Sequence, residues 1–186
     1  MNLLIGGLIL WVIVHLFPSL GKHTRSNIVA KIGLGPYKGL FALLILSSVV
    51  LIVFGWRSVI PQPVYEPPEW GKFVTFVLVL VTFILFIAAK RKTNIKRYLR
   101  HPQLTGLVIW SIGHLFANGD NRSLILFITL GTWAIVQMIC INQREGAWKK
   151  PELLPARNDI ITVVGGCILY TVLLFAHPYI TGVSLF

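Results

Sequence analysis

Apolar residues run in blocks along this chain, and the charged residues stand between the blocks. Six stretches carry no Asp, Glu, Lys or Arg: 1–21, 39–56, 73–89, 101–119, 123–143 and 160–186. Each can hold a helix of roughly 17–25 residues, the length that crosses a hydrocarbon core of ~30 Å. Their apolar side chains follow one another without the alternation of a barrel strand. In lipid the backbone must satisfy its own hydrogen bonds, which leaves the helix. The pattern predicts an all-α polytopic membrane protein, a bundle of about six transmembrane helices in a single domain over 1–186. The segment 25–32 reads as a short interfacial helix, ended by Gly33, Gly35 and Pro36. Four prolines within 61–68 force an extended loop, with Trp56 and Trp70 beside it as interfacial anchors.

Composition sharpens this picture. Hydrophobic residues make up 55% and charged residues 12%, and the mean hydropathy is +0.77. A soluble domain carries about twice that charge, so an ordinary soluble globule and a disordered chain are excluded. The first apolar block lacks a basic stretch before it and a small-residue cleavage site after it, and reads as a retained helix.

Charge gives the orientation. Lys22, Arg25, Lys31 and Lys38 fall in the first loop. Lys90, Arg91, Lys92, Lys96, Arg97 and Arg100 fall in the third, and Arg144, Lys149, Lys150 and Arg157 in the fifth. These are fourteen of the 17 basic residues. The positive-inside rule places those loops in the cytoplasm. Both termini then face the periplasm of a bacterial inner membrane. The net charge of +11 is a topology signal, and the basic run at 90–100 reads as a loop against anionic headgroups rather than a nucleic-acid site.

Several chemistries leave no trace. There is no Gly-rich phosphate loop, GxSxG or HExxH, and no acidic residue inside a span to serve a proton relay. Cys140 and Cys167 sit in apolar runs with no metal spacing. The histidines are the clue. His15, His114 and His177 lie within apolar stretches, and His101 lies at the edge of the fourth. A histidine in lipid is costly unless paired, so each marks either an interhelical hydrogen bond or a functional site. Three in one small bundle suit a haem held between helices by neutral imidazoles.

The surrounding residues carry a resemblance. Arg100-His101-Pro102-Gln103-Leu104-Thr105-Gly106, then Trp110, then His114-Leu115-Phe116-Ala117-Asn118-Gly119-Asp120 closely resembles the signature of the NnrU proteins. So do Pro155-Ala156-Arg157-Asn158-Asp159, His15-Leu16-Phe17-Pro18-Ser19 and Ile95-Lys96-Arg97. The resemblance implies a bacterial integral membrane protein linked with nitrite and nitric oxide reduction (denitrification). The segment from Arg100 to His114 is also similar to that of the 15-cis-zeta-carotene isomerases, haem b membrane enzymes whose histidines ligate iron. That likeness implies His15 and His114 as axial haem ligands. The isomerases carry a Cys three residues before the second His, where this chain has Ser111, which cannot supply a thiolate.

Depth gives a different pairing. At 1.5 Å per residue His15 lies roughly 20 Å from the outer surface and His114 about 12 Å from it. On depth alone His177 suits His114, and His101 suits His15. Around the site, Asn118-Gly119-Asp120 reads either as a turn with Asp120 capping the next helix or as part of a cofactor site with Arg100 and His101. Arg157, Asn158 and Asp159 form either a helix start or a polar cluster with Arg100 and His101.

Two other functions remain. The Arg-His-Pro followed by Gly is similar to isoprenylcysteine carboxyl methyltransferases, which bind S-adenosylmethionine nearby. Here Leu104 replaces their aromatic residue, and only Glu145 stands for their paired glutamates. The other is a non-enzymatic partner of a respiratory complex in the lipid bilayer.

Overall fold

The computed structural model describes residues 1–185; the last residue of the final apolar stretch, Phe186, lies outside them. Seven helices follow in order: α1 (Asn2–Leu20), α2 (Lys22–Ile32), α3 (Leu34–Ser58), α4 (Gly71–Lys90), α5 (Pro102–Ala117), α6 (Asn121–Glu145) and α7 (Arg157–Thr181). A short 3-10 turn, Asn94–Arg97, lies between α4 and α5. The fold is the expected all-α polytopic bundle.

Local chemistry sets the ends. Gly33 has φ 85° and separates the expected interfacial helix, α2, from α3. None of the α2 residues is buried. Pro102 opens α5, where its missing N–H removes no helix bond. The Asp120 carboxylate accepts from the backbone N–H groups of Arg122 and Ser123, each at 3.1 Å, and so caps α6. Gly146, at φ 71°, ends α6.

Five helices are long and apolar enough to cross a membrane: α1, α3, α4, α6 and α7. The sixth expected span, α5, has 16 residues, about 24 Å of helix. It is short because Pro102 starts it and the turn at Asn118 stops it. It still occupies a full place in the bundle, packed between α4 and α6.

The helices form a ring in the order α3, α1, α6, α5, α4, α7, and α7 returns to touch α3 only lightly. At one end the proline loop meets the α5–α6 turn: Val64 and Tyr65 N–H groups donate to the Gly119 carbonyl, at 2.8 and 3.1 Å, and Pro63 bridges Asp120. The basic loops gather at the other end, where Arg100 donates to the Gly146 carbonyl and Arg144 to Ser19. Both termini therefore share the proline-loop end.

Close helix contact rests on small and hydroxyl residues. Thr75 Oγ1 donates to the Gly113 carbonyl at 2.6 Å and Thr82 Oγ1 to the Gly106 carbonyl at 3.0 Å, joining α4 to α5 twice. A Cβ on Gly166 of α7 would lie 2.6 Å from the Ile84 Cα of α4. The apolar core gathers Leu4, Leu8, Trp56, Leu126, Phe127 and Leu130 toward the proline-loop end. Large apolar side chains such as Ile13, Leu46, Phe54 and Phe175 point outward, as a lipid environment requires.

Candidate functional site

Toward the proline-loop end the ring holds a partly open cavity of about 510 Å³. Five helices wall it. Ile52 and Trp56 come from α3, Lys72 and Phe76 from α4, His114 and Ala117 from α5 with Asn118 just beyond it, Phe127 and Leu130 from α6, and His177 and Thr181 from α7. A smaller lobe of about 210 Å³ extends between α4 and α7, past Val79, Phe83, Tyr170 and Leu174. His114 and His177 line both.

Each histidine is oriented by a backbone carbonyl. His114 Nδ1 lies 2.9 Å from the Trp110 carbonyl, one turn back on α5. A carbonyl only accepts, so Nδ1 carries the proton and Nε2 keeps its lone pair. The ring stacks on Phe127 at 4.6 Å between centroids and leans on Trp110 at 4.6 Å. His177 Nδ1 lies 3.1 Å from the Val183 carbonyl, beyond the left-handed turn at Gly182. Its Nε2 is likewise left as an acceptor.

His15 is elsewhere. Its Nδ1 donates to the Trp11 carbonyl at 2.9 Å. Its ring is boxed by Trp11 at 4.1 Å, Trp133 at 4.8 Å and Phe41 at 6.0 Å. Trp133 lies six residues along α6 from Phe127, the neighbour of His114, a rise of about 9 Å. His15 lines neither lobe. The structure thus brings His114 together with His177, the pairing that depth favours, and does not bring His15 to the same cavity. Ser111 is buried against Gly131 of α6 and also stands outside the lining.

The sequence profile described as NnrU protein matches residues 3–185. The chain belongs to the NnrU family. It is also 33% identical over 75 residues to the glycerol-3-phosphate acyltransferases of Streptococcus pyogenes serotype M5 (strain Manfredo) and serotype M49 (strain NZ131). That stretch is 39% of this chain and 33% of each relative, so the likeness covers about a third of the length of those relatives. No solved structure matches the chain.

The signature residues of this NnrU protein divide between the two ends. At the cavity, Asn118 Nδ2 donates to the His114 carbonyl at 2.9 Å. Asp120 is a cap: one oxygen takes the two N–H groups at the start of α6 and the other accepts from Ser123 Oγ at 2.5 Å. At the basic end, His101 Nε2 lies 2.8 Å from Asn142 Oδ1, and Arg100 faces Glu145 at 3.6 Å. The polar cluster of Asp159 with Arg100 and His101 does not form. Asp159 accepts instead from Thr93 Oγ1 at 2.5 Å and from Asn94 N and Nδ2 at 2.8 and 2.7 Å. The reason is local: the 3-10 turn after α4 presents these donors at the start of α7, while Arg100 and His101 are taken up by α6.

Lys72, Thr75 and Phe76 line the cavity without having been singled out in the sequence, and so does Trp56, which was read there as an interfacial anchor. Thr75 and Thr82, spaced by seven opposite Gly106 and Gly113 spaced by seven, are a signal that could have located the α4–α5 wall. Among the described residues no group of three or more His, Cys, Asp or Glu side chains gathers as a metal site.

Proposed function

We propose that this NnrU-family protein binds haem b in the cavity beneath the proline loop, with His114 and His177 as the protein's ligands to iron. One observation carries the reading: two imidazoles on one apolar cavity, each with Nδ1 tied to a backbone carbonyl and Nε2 free. A haem takes four ligands from its own ring and asks two of the protein, so a pair of histidines suffices. The residues present fit such a group. Phe127 and Trp110 hold the His114 ring in place, the carbonyl bonds fix the tautomer, and the apolar walls favour neutral imidazole. Haem when bound supplies redox chemistry at the membrane. In this family that chemistry belongs with nitrite and nitric oxide reduction, or with isomerisation of the carotenoid type.

The test is the absorption spectrum of protein purified from haem-replete cells. A Soret band is expected, and both His114→Ala and His177→Ala are expected to remove or shift it with little effect on membrane insertion, since apolar runs decide insertion. His15→Ala is expected to leave the band in place. Loss with His15→Ala and retention with His177→Ala would return the ligand pair to His15 and His114. No Soret band in the wild type would overturn the haem reading.

We further propose a bacterial inner-membrane location with the proline-loop end in the periplasm, supported by the gathering of basic loops at the opposite end. A reporter active only after export, fused at the C-terminus, is expected to be active. Activity there of a cytoplasm-only reporter would reverse the orientation.

A further inference from the structure

The cavity carries a second feature besides its histidines. Lys72, Phe76, Val79 and Phe83 recur every three to four residues along α4, so they share one face of it. From Lys72 to Phe83 is about 16 Å of helix, close to half of a ~30 Å hydrocarbon core. The stripe begins at an exposed ammonium in the first turn of α4 and ends deep among apolar side chains. Lys72 is the only Lys, Arg, Asp or Glu among the lining residues.

The opposite wall is α7, and its packing explains the gap. At Gly166 the α7 backbone lies directly on Ile84 of α4. Next toward the proline-loop end the Phe83 and Tyr170 rings meet at 6.4 Å between centroids, and from that contact the smaller lobe runs on to His177. On its other flank α7 touches α3 only lightly. The side of the ring through which a bilayer molecule would pass is therefore its least packed side.

We propose that this stripe is a binding site for one acyl chain of an anionic phospholipid, drawn from the leaflet at the proline-loop end. The headgroup lies at Lys72, where the ammonium and the positive end of the α4 dipole both attract an anion. The chain runs past Phe76 and Val79 into the smaller lobe. Charge selects an anionic over a zwitterionic headgroup, and the length of the stripe matches the depth of one leaflet. The inference does not rest on the haem reading, although His114 and His177 line the smaller lobe as well as the larger cavity, because its occupant is read by mass and not by absorbance.

The experiment uses the full chain in detergent micelles with equal amounts of phosphatidylglycerol and phosphatidylcholine of the same chain length. Native mass spectrometry is expected to find phosphatidylglycerol retained in preference. Lys72→Gln, at an exposed position, is expected to lower that retention about fivefold, the effect of one basic residue near a headgroup. Val79→Trp, which fills the lobe, is expected to lower it while Lys72 remains. A phosphatidylglycerol with a photoreactive group at the chain end is expected to label the peptides holding Phe83 or Tyr170. Should Val79→Trp fail to elute as a monodisperse species, Lys72→Gln and the label decide alone. Equal retention of both lipids, no loss with Lys72→Gln, or label confined to outward positions such as Leu46 and Phe54 on α3 would each overturn the proposal. The lipid is read by mass and the haem by absorbance in the same preparation, so equal retention of both lipids overturns this proposal alone and an absent Soret band overturns the haem reading alone.

Discussion

Arg122 reaches from the first turn of α6 to the last turn of α3 and covers Trp56. Its guanidinium lies 4.3 Å from the Trp56 ring centroid, and Nη1 donates to the carbonyls of Trp56 at 3.0 Å and Val59 at 3.2 Å. One side chain thus satisfies the open carbonyls at the end of α3 and presses the cavity-lining indole into place. We expect Arg122→Leu to destabilise the bundle by roughly 2–3 kcal/mol, from the lost charged hydrogen bonds and the cation–π contact. Arg122→Lys keeps the charge but not the planar fork, and should recover only part of the loss. Thermal loss of monodispersity in detergent measures both; equal stability of wild type and Arg122→Leu would contradict this role.

Gly6 and Gly7 are neighbours with opposite surroundings. A Cβ on Gly7 would lie 2.8 Å from the Ile52 backbone nitrogen of α3, whereas a Cβ on Gly6 would meet nothing within 4 Å. Gly7→Ala should therefore cost about 1–3 kcal/mol, the usual penalty of overpacking. Gly6→Ala should be neutral or stabilise by up to about 1 kcal/mol through helix propensity. The same heating assay compares them, and similar behaviour of the two variants would show that α1 does not sit against α3 as described.

Asp159 fastens the loop after α4 to the start of α7. Its loss leaves the buried Thr93 hydroxyl without its acceptor, and a buried hydroxyl without a partner is destabilising. Asn94, which also exchanges two hydrogen bonds with Leu154 at 2.8 Å each, would lose one anchor and keep the other. We expect Asp159→Ala to speed proteolytic cleavage within 91–101 in inverted vesicles, while insertion is unchanged. Unaltered cleavage would mean that the Leu154 bonds hold the loop unaided.

Tyr65 ties the proline loop to the end of α5. Its hydroxyl donates to the Leu115 carbonyl and lies 3.0 Å from that of Asn118. Burial, and then the nearby Asp120 carboxylate, push this phenol above its ordinary value. The folded state thus favours the protonated form. That contribution is fully present below the unfolded phenol value of about 10 and is lost as pH rises through the higher folded value. Hydrogen exchange at Val64 and Tyr65 N–H should therefore rise above pH ~10 beyond the intrinsic base-catalysed rate. Tyr65→Phe should show faster exchange already at neutral pH and lack that extra rise.

The helical blocks were legible because hydropathy and charge are properties of consecutive residues. The short helix before Gly33 and the capping role of Asp120 were legible for the same local reason. The length of α5 was legible from its two ends, since Pro102 suits a helix start and Asn118-Gly119-Asp120 a turn, and these leave 16 residues of the charge-free stretch at 101–119 to the helix. Trp56 shows how tertiary packing overrides a local rule. It was expected as an exposed interfacial anchor, yet it is 9% exposed beneath Arg122, while Trp70 is 55% exposed. Residue depth pointed to His177 as the companion of His114 at one cavity and the family likeness pointed to His15; chain order could not choose between them, because it does not say which helices are neighbours. His15 on α1 faces α6 and α3, whereas His177 on α7 faces α4 and the cavity.

In mechanical terms α7 is a beam clamped at one end. Its root is held by Asp159 against Thr93 and Asn94 and by Gly166 against Ile84. Beyond Gly166 it leans on α4 alone and gains little support from α3. Displacement of such a beam grows toward its tip, and the tip carries His177 and the turn at Gly182. The wall of the cavity that bears a candidate ligand is thus the wall held chiefly from one side. A small rotation at Gly166 would change the width of the cavity without disturbing the four helices on its far side.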